Sequence, residues 1–214
     1  MTGRSPGAAA ELARFGEPLW PRLVGHPFVV AAGEGTLADE AFDRWLAEDH
    51  AFVVGFRRFL AGLVMLAPDD AARDILAAAL VPLQGELELF REEAAHRGVD
   101  LDTEPGPTTL GYTAFVQSSL LRGYQVALTV LFGAEKAYHD AWVAVRSRAA
   151  ERSPYWPFID NWSSPTFGSW VTDVARLVDA AAPEGATEPM RRAFGRVVRF
   201  EARFWDAVHA GETW

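Results

Sequence analysis

No cysteine occurs anywhere in the 214 residues. That one absence removes disulfides, Cys-rich zinc sites and thiolate nucleophiles together, while leaving the redox compartment undetermined. Basic residues are also scarce. Twenty Lys and Arg against 29 Asp and Glu give a formal net charge of -9, so the surface is poorly suited to displacing counterions from a phosphate backbone, and nucleic acid is not an expected partner. No apolar run reaches the roughly 18 residues needed to span a bilayer, and the start of the chain lacks the long apolar stretch of a signal peptide. A soluble, cytoplasmic protein with no membrane partner is expected. Convincing alternating strands, internal repeats and low-complexity tracts are missing as well. The short GEGT run at 33–36 has no strand before it, which argues against a phosphate loop.

What is present is apolar side chain at helical spacing. Half of the residues are hydrophobic and 12% aromatic, enough for one sizeable core, and the length suits a single domain over residues 1–214. The pattern predicts a first helix over 8–24 and a sharp turn through GHPFVVAAGEGTL. A long helix then follows, capped by Thr36 and carrying Asp39 and Glu40 in its first turn. Pro68, Asp69 and Asp70 open the next helix, which is expected to run to about Gly98. After a Pro/Gly-rich link at 99–107, residues 108–150 read as two helices broken between Ser118 and Gly123. The three prolines of ERSPYWPFIDNWSSPTF exclude an uninterrupted helix, with FIDNW as a short turn. Helices at 167–181 and 187–210 complete an all-α bundle of roughly seven helices.

Three of these helices carry an acid on the apolar face. Asp49 is the only charged member of the stripe Phe42, Trp45, Leu46, Asp49, Phe52, Val53 and Phe56. Glu135 interrupts Leu128, Leu131, Tyr138 and Trp142, and Glu201 stands at the centre of Phe194, Val197, Val198, Phe204, Trp205 and Val208. An unpaired carboxylate loses several kcal/mol on leaving water, so inward acids are generally paired, hydrogen-bonded, metal-bound or protonated. Arg57, Arg58 or Arg199 would satisfy them in a purely structural reading. Three at once instead suggest a shared polar pocket with carboxylates available for general acid/base work, and with Tyr112 and Tyr138 as donors.

At this point the chain resembles the TenA family, thiaminase II-like aminopyrimidine hydrolases built on a haem-oxygenase-like helical bundle. The resemblance lies in spaced motifs in family order: HPFVVAAGEGTL, WLAEDHAFV, PTTLGYTAFV, PYWPFIDNWSSPTF and RFEARFW. It implies that Asp49 hydrogen-bonds an aminopyrimidine ring, that Tyr112 lines the pocket, and that Glu201 is the principal acid/base. Tyr138 matches the tyrosine of the central helix, and Phe204 belongs to the terminal motif as a further substrate contact. Phe52 stands where many members have tyrosine, and Trp162 where the motif has its ring-stacking tyrosine. Both keep an aromatic face, and Phe52 lacks the hydroxyl.

Many relatives place a nucleophilic cysteine four residues before the tyrosine matched by Tyr138. Here that position is Ala134, so the chain resembles the cysteine-lacking branch, which uses a glutamate, and Glu135 is the local candidate. The resemblance implies hydrolysis of an aminomethylpyrimidine or its formyl derivative to hydroxymethylpyrimidine in thiamin salvage. It points away from thiamin cleavage, calls for no metal or other cofactor, and implies a homo-oligomer, tetramer or dimer, whose partner is a small-molecule pyrimidine. Two further readings stand beside it: a non-catalytic pyrimidine-binding protein, and a dimetal oxidase of the same fold. For the latter, Glu135 and His139 are spaced i, i+4, but the ligand set is incomplete. His26 before Pro27 is expected to fix its loop by hydrogen bonding.

Overall fold

Residues 6–150 and 153–214 are described by the computed structural model. Residues 1–5 of the expected domain, and Glu151 and Arg152 of the proline-rich segment, lie outside them. Among the described residues there are eleven α-helices and no strand: α1 (Ala8–Gly16), α2 (Trp20–Val24), α3 (Pro27–Glu34), α4 (Asp39–Leu66), α5 (Asp70–Ala78), α6 (Leu80–Arg97), α7 (Pro107–Ser118), α8 (Tyr124–Arg146), α9 (Trp156–Ser163), α10 (Pro165–Ala181) and α11 (Glu188–Ala210). A 3-10 turn, Ser119–Arg122, joins α7 to α8.

The count exceeds the seven read from periodicity because prolines divide helices whose apolar faces continue. Pro18 has no N–H to offer within 8–24, so α1 ends at Gly16 and α2 begins at Trp20. Pro82 acts the same way within 69–98. Its ring conflicts with the carbonyl of Ala78, and the chain resets at Ala79 between α5 and α6. The stretch GHPFVVAAGEGTL is also more than a turn. Pro27 takes the first helical position and the His26 ring accepts a hydrogen bond from Phe28 N at 3.1 Å, so His26 does fix this segment, but as the cap of α3. The reversal comes only at Gly35. Thr36 does not cap α4; Ala38 stands there without a side-chain cap. Asp69 caps α5 through Ala72 N, and FIDNW lies inside the two-turn α9. The expected break after Ser118 is confirmed, ending at Gly123 with φ 87°, a conformation that favours glycine.

Helix α8 forms the centre, with α3, α9, α10 and α11 packed around it, while α4 lies against α6, α7 and α11. Gly133 permits the α8–α11 approach, since a Cβ there would meet Val197 Cγ1 at 3.0 Å. Between α4, α6, α8 and α9 lies a fully buried aromatic cluster of Trp45, Phe90, Trp142, Phe158 and Trp162. A fully buried side chain of the phenylalanine class contributes about 1.5–3 kcal/mol, so this cluster holds rigid the wall on which the candidate site is built. No helix among the described residues is long and apolar enough to cross a membrane.

Candidate active site

Helix periodicity turns Asp49 of α4, Glu135 of α8 and Glu201 of α11 toward one another, and all three line a narrow inner cleft of about 40 Å³. Phe52, Tyr138, Trp162 and Ala134 complete part of its wall. Ala134 and Glu135 both reach the cleft, although consecutive helical positions differ by about 100°. A fourth acid, Glu86 of α6, joins them and was not singled out from sequence. The signal was available: Leu83, Glu86 and Phe90 follow the same i, i+3, i+7 spacing that exposed the other three.

None of the four acids forms an ion pair with Lys, Arg or His among the described residues. Arg57, Arg58 and Arg199 are exposed and pair with none of them. Their partners are neutral donors. The Tyr112 hydroxyl donates to Glu201 Oε1 at 2.6 Å, while Glu201 Oε2 is buried without a partner. The Tyr138 hydroxyl donates to Asp49 Oδ2, and Trp45 Nε1 donates to the Tyr138 oxygen at 3.0 Å, forming a relay from the aromatic cluster to the acid. Asn161 Nδ2 donates to Glu86 Oε1 at 3.3 Å.

Burial without cations favours the neutral acids. It pushes Glu201 up to about 8 against the opposing hydrogen bond from Tyr112. It also pushes Glu135 up to about 8, with Trp170 opposing and the charges of Glu86 and Glu201 adding. Burial raises Glu86 to about 7 despite Asn161 and Trp162 beside it. Asp49 is raised well above the usual carboxylate range by burial, which outweighs the Tyr138 bond. Near neutral pH the cleft therefore holds carboxylic acids able to donate and a carboxylate able to accept, the pairing that acid/base chemistry requires.

The remaining predicted residues divide. Phe52, Tyr138 and Trp162 are in the cleft wall. Tyr112 stands behind Glu201 instead of lining the cleft, and Phe204 packs behind Phe52 with ring centroids 6.5 Å apart. His139 lies against Phe167 and Asp140, His209 lies beside His26, and no three His, Asp or Glu among the described residues group to hold a metal ion.

A second, larger cavity of about 480 Å³ adjoins the cleft and shares Leu83, Glu86 and Glu135 with it. Comparison with known proteins agrees with this architecture. The chain is 23% identical to the aminopyrimidine aminohydrolase of Halalkalibacterium halodurans over 217 aligned residues, covering 96% of this chain and 97% of the relative. A TenA homologue from Pyrococcus furiosus superposes with a TM-score of 0.89 at 33% identity, over 94% of this chain and 98% of that one. A Shewanella denitrificans domain described as having a heme oxygenase-like fold superposes at 0.71 with 15% identity, over 93% and 90%, and the bundle is haem-oxygenase-like in fold. The profile of the TENA/THI-4/PQQC family matches residues 16–210, and the chain belongs to that family.

Proposed function

We propose that the chain is an aminopyrimidine hydrolase that replaces the exocyclic amine of an aminomethylpyrimidine, or its formyl derivative, by hydroxyl, using carboxylates in place of a thiol. One observation carries this reading: Glu201 Oε2, buried and unpartnered, lines a cleft holding three further acids and no cation. The name of the Halalkalibacterium halodurans relative supports the same substrate class.

The cleft is walled by Phe52, Tyr138 and Trp162, whose aromatic faces suit a planar ring, and at about 40 Å³ it widens toward the adjoining cavity to admit one. Asp49, oriented by Tyr138, faces the ring's amino and ring-nitrogen groups. Glu201, held by Tyr112 through one oxygen, uses its other oxygen to protonate the leaving nitrogen. Glu86, the glutamate ionised at the lowest pH of the three, takes a proton from the attacking water, and Glu135 stands next to it at the mouth of the cleft. Water oxygen bonds to the methylene carbon, the C–N electron pair leaves with nitrogen, and the two proton transfers balance. Two carboxyl groups of opposite protonation perform this without a covalent intermediate, which suits an amine or amide leaving group more directly than thiamin. We also infer a homo-oligomer, tetramer or dimer; the exposed apolar Met65 and Leu121 support association, and light scattering checks it.

Incubation of the purified protein with 4-amino-5-aminomethyl-2-methylpyrimidine, its formyl derivative and thiamin, following hydroxymethylpyrimidine and ammonia, tests the reading. Turnover of the amine or amide is expected. Binding without turnover of any of the three overturns hydrolysis and favours a pyrimidine-binding protein.

A further inference from the structure

The reaction proposed above occupies the inner cleft and leaves the outer cavity without a task. That cavity is not small. At about 480 Å³ it falls within the roughly 300–1,000 Å³ typical of small-molecule sites. It runs between α5/α6 and α9/α10, with Ile75, Ala79 and Pro82 on one side and Phe167 and Trp170 on the other. Glu86 and Glu135 stand in both cavities and so mark the junction.

The charge pattern of the outer wall is one-sided. Its ionisable members are Glu86, Glu135 and Asp173, and no Lys, Arg or His lines it. Asp173 is paired with Arg176 at 2.6 Å, so that cation is already engaged. A phosphate or carboxylate placed here would face Glu86 and Asp173 with no free Lys, Arg or His on the wall to pair it, an unfavourable arrangement. Uncharged apolar matter meets Ile75, Pro82, Phe167 and Trp170 at no such cost, and the second hydrogen of Asn161 Nδ2, whose first goes to Glu86, can donate to one carbonyl.

Resting on the hydrolase reading, we infer that the outer cavity receives the group carried on the amine nitrogen, so that the chain accepts aminomethylpyrimidines N-acylated by uncharged groups larger than formyl and rejects those ending in an anion. With the ring in the cleft, the scissile nitrogen lies within reach of Glu201 and faces the Glu86–Glu135 junction, so whatever it bears extends outward. The chemistry is unchanged. Water adds its oxygen to the methylene carbon and gives a proton to Glu86; the C–N pair leaves with nitrogen, which takes the Glu201 proton and departs as a primary amide.

The test is a series of free amine, formyl, acetyl, butanoyl and succinyl derivatives, the last carrying a terminal carboxylate on a chain of butanoyl length. Butanoyl kcat/KM is expected within tenfold of formyl, and succinyl at least 100-fold below butanoyl. Ala78 lies in the outer wall at an exposed helix end. Ala78→Trp is expected to lower the butanoyl-to-amine ratio of kcat/KM at least tenfold, and Ala78→Lys to raise the succinyl-to-butanoyl ratio at least tenfold. A steady loss of rate with acyl length, or an unchanged ratio in Ala78→Trp, overturns the inference while leaving the hydrolase standing. If even the free amine is not turned over, the hydrolase reading falls, and calorimetric affinities still judge the cavity: equal binding of butanoyl and succinyl derivatives overturns it.

Discussion

Glu201→Gln should make the protein inactive and, at alkaline pH, more stable. The glutamate is about 8 in the fold against 4.5 when exposed, chiefly because burial disfavours its charge. Between these values the unfolded chain has released a proton that the native state still holds, so native stability falls as pH rises. The slope reaches about 1.4 kcal/mol per pH unit for one such group. Glutamine has nearly the same shape, its carbonyl still accepts from Tyr112, and it carries no ionisable proton. At pH 5 wild type and variant should therefore differ little. By pH 8 the variant should have gained several kcal/mol relative to wild type, which at roughly 2–4 °C per kcal/mol for a chain of this size is a readily measured rise in relative Tm. Urea denaturation at pH 5, 6, 7 and 8 supplies the curves, and turnover of the aminomethylpyrimidine, expected to fall at least ~100-fold, supplies the activity arm. A stability difference that stays constant across the four pH values would refute the protonated, buried state assigned to Glu201.

The rate profile of the wild type should be bell-shaped, lost below about 7 as Glu86 is protonated and above about 8 as Glu201 ionises, read from initial rates between pH 5 and 10. Because the Tyr112 bond lowers the Glu201 value, Tyr112→Phe should move the alkaline limb upward and destabilise by about 1–3 kcal/mol, leaving both Glu201 oxygens unpartnered. An alkaline limb that moves downward would contradict that assignment. Tyr138→Phe frees Asp49 and should raise KM more than it lowers kcat, as steady-state kinetics will show. Gly55→Ala, which in an exposed helix would stabilise by up to about 1 kcal/mol, should destabilise here, because its methyl would enter the space of Thr113 Cγ2 where α4 crosses α7; thermal melts decide the sign.

Periodicity recovered what periodicity encodes. Asp49, Glu135 and Glu201 interrupt apolar stripes, and burial against neighbouring helices then leaves each in the interior, so their inward placement is legible in the sequence. Helix boundaries were legible where a single residue decides them, as at Gly98 and Gly123. They were misread where proline acts four residues away, because Pro82 disrupts the chain at Ala78 while the apolar stripe continues through both α5 and α6. The α3 helix was hidden for a related reason: Pro27 and Gly35 read as turn residues, yet one starts a helix and the other ends it. The motif positions of Tyr112 and Phe204 point to the pocket. Only packing reveals that each reaches the cleft through another side chain, Glu201 and Phe52 respectively.

Glu86 was missed because its helix is weakly amphipathic, with acids at 86, 88, 92 and 93 that make an inward glutamate resemble its solvated neighbours. Its place changes the chemistry that replaces the absent thiol. Asp49 and Glu201 are each fixed by a tyrosine and face the inner cleft, whereas Glu86 and Glu135 lack tyrosine partners and stand where the two cavities meet. Under the proposed function the first pair orients the ring and protonates nitrogen, and the second pair competes for the role of base. The pair can be separated. Asn161 Nδ2 donates to Glu86 at 3.3 Å, and the charge of an ionised Glu86 helps hold Glu135 protonated, so Glu86 is the favoured carboxylate. Glu86→Gln should therefore remove the acid limb of the rate profile and most of the turnover, while Glu135→Gln should keep the acid limb and lose less. The opposite ranking, measured on two variants that both remain folded, would move the base from α6 to α8 and return it to the residue beside Ala134.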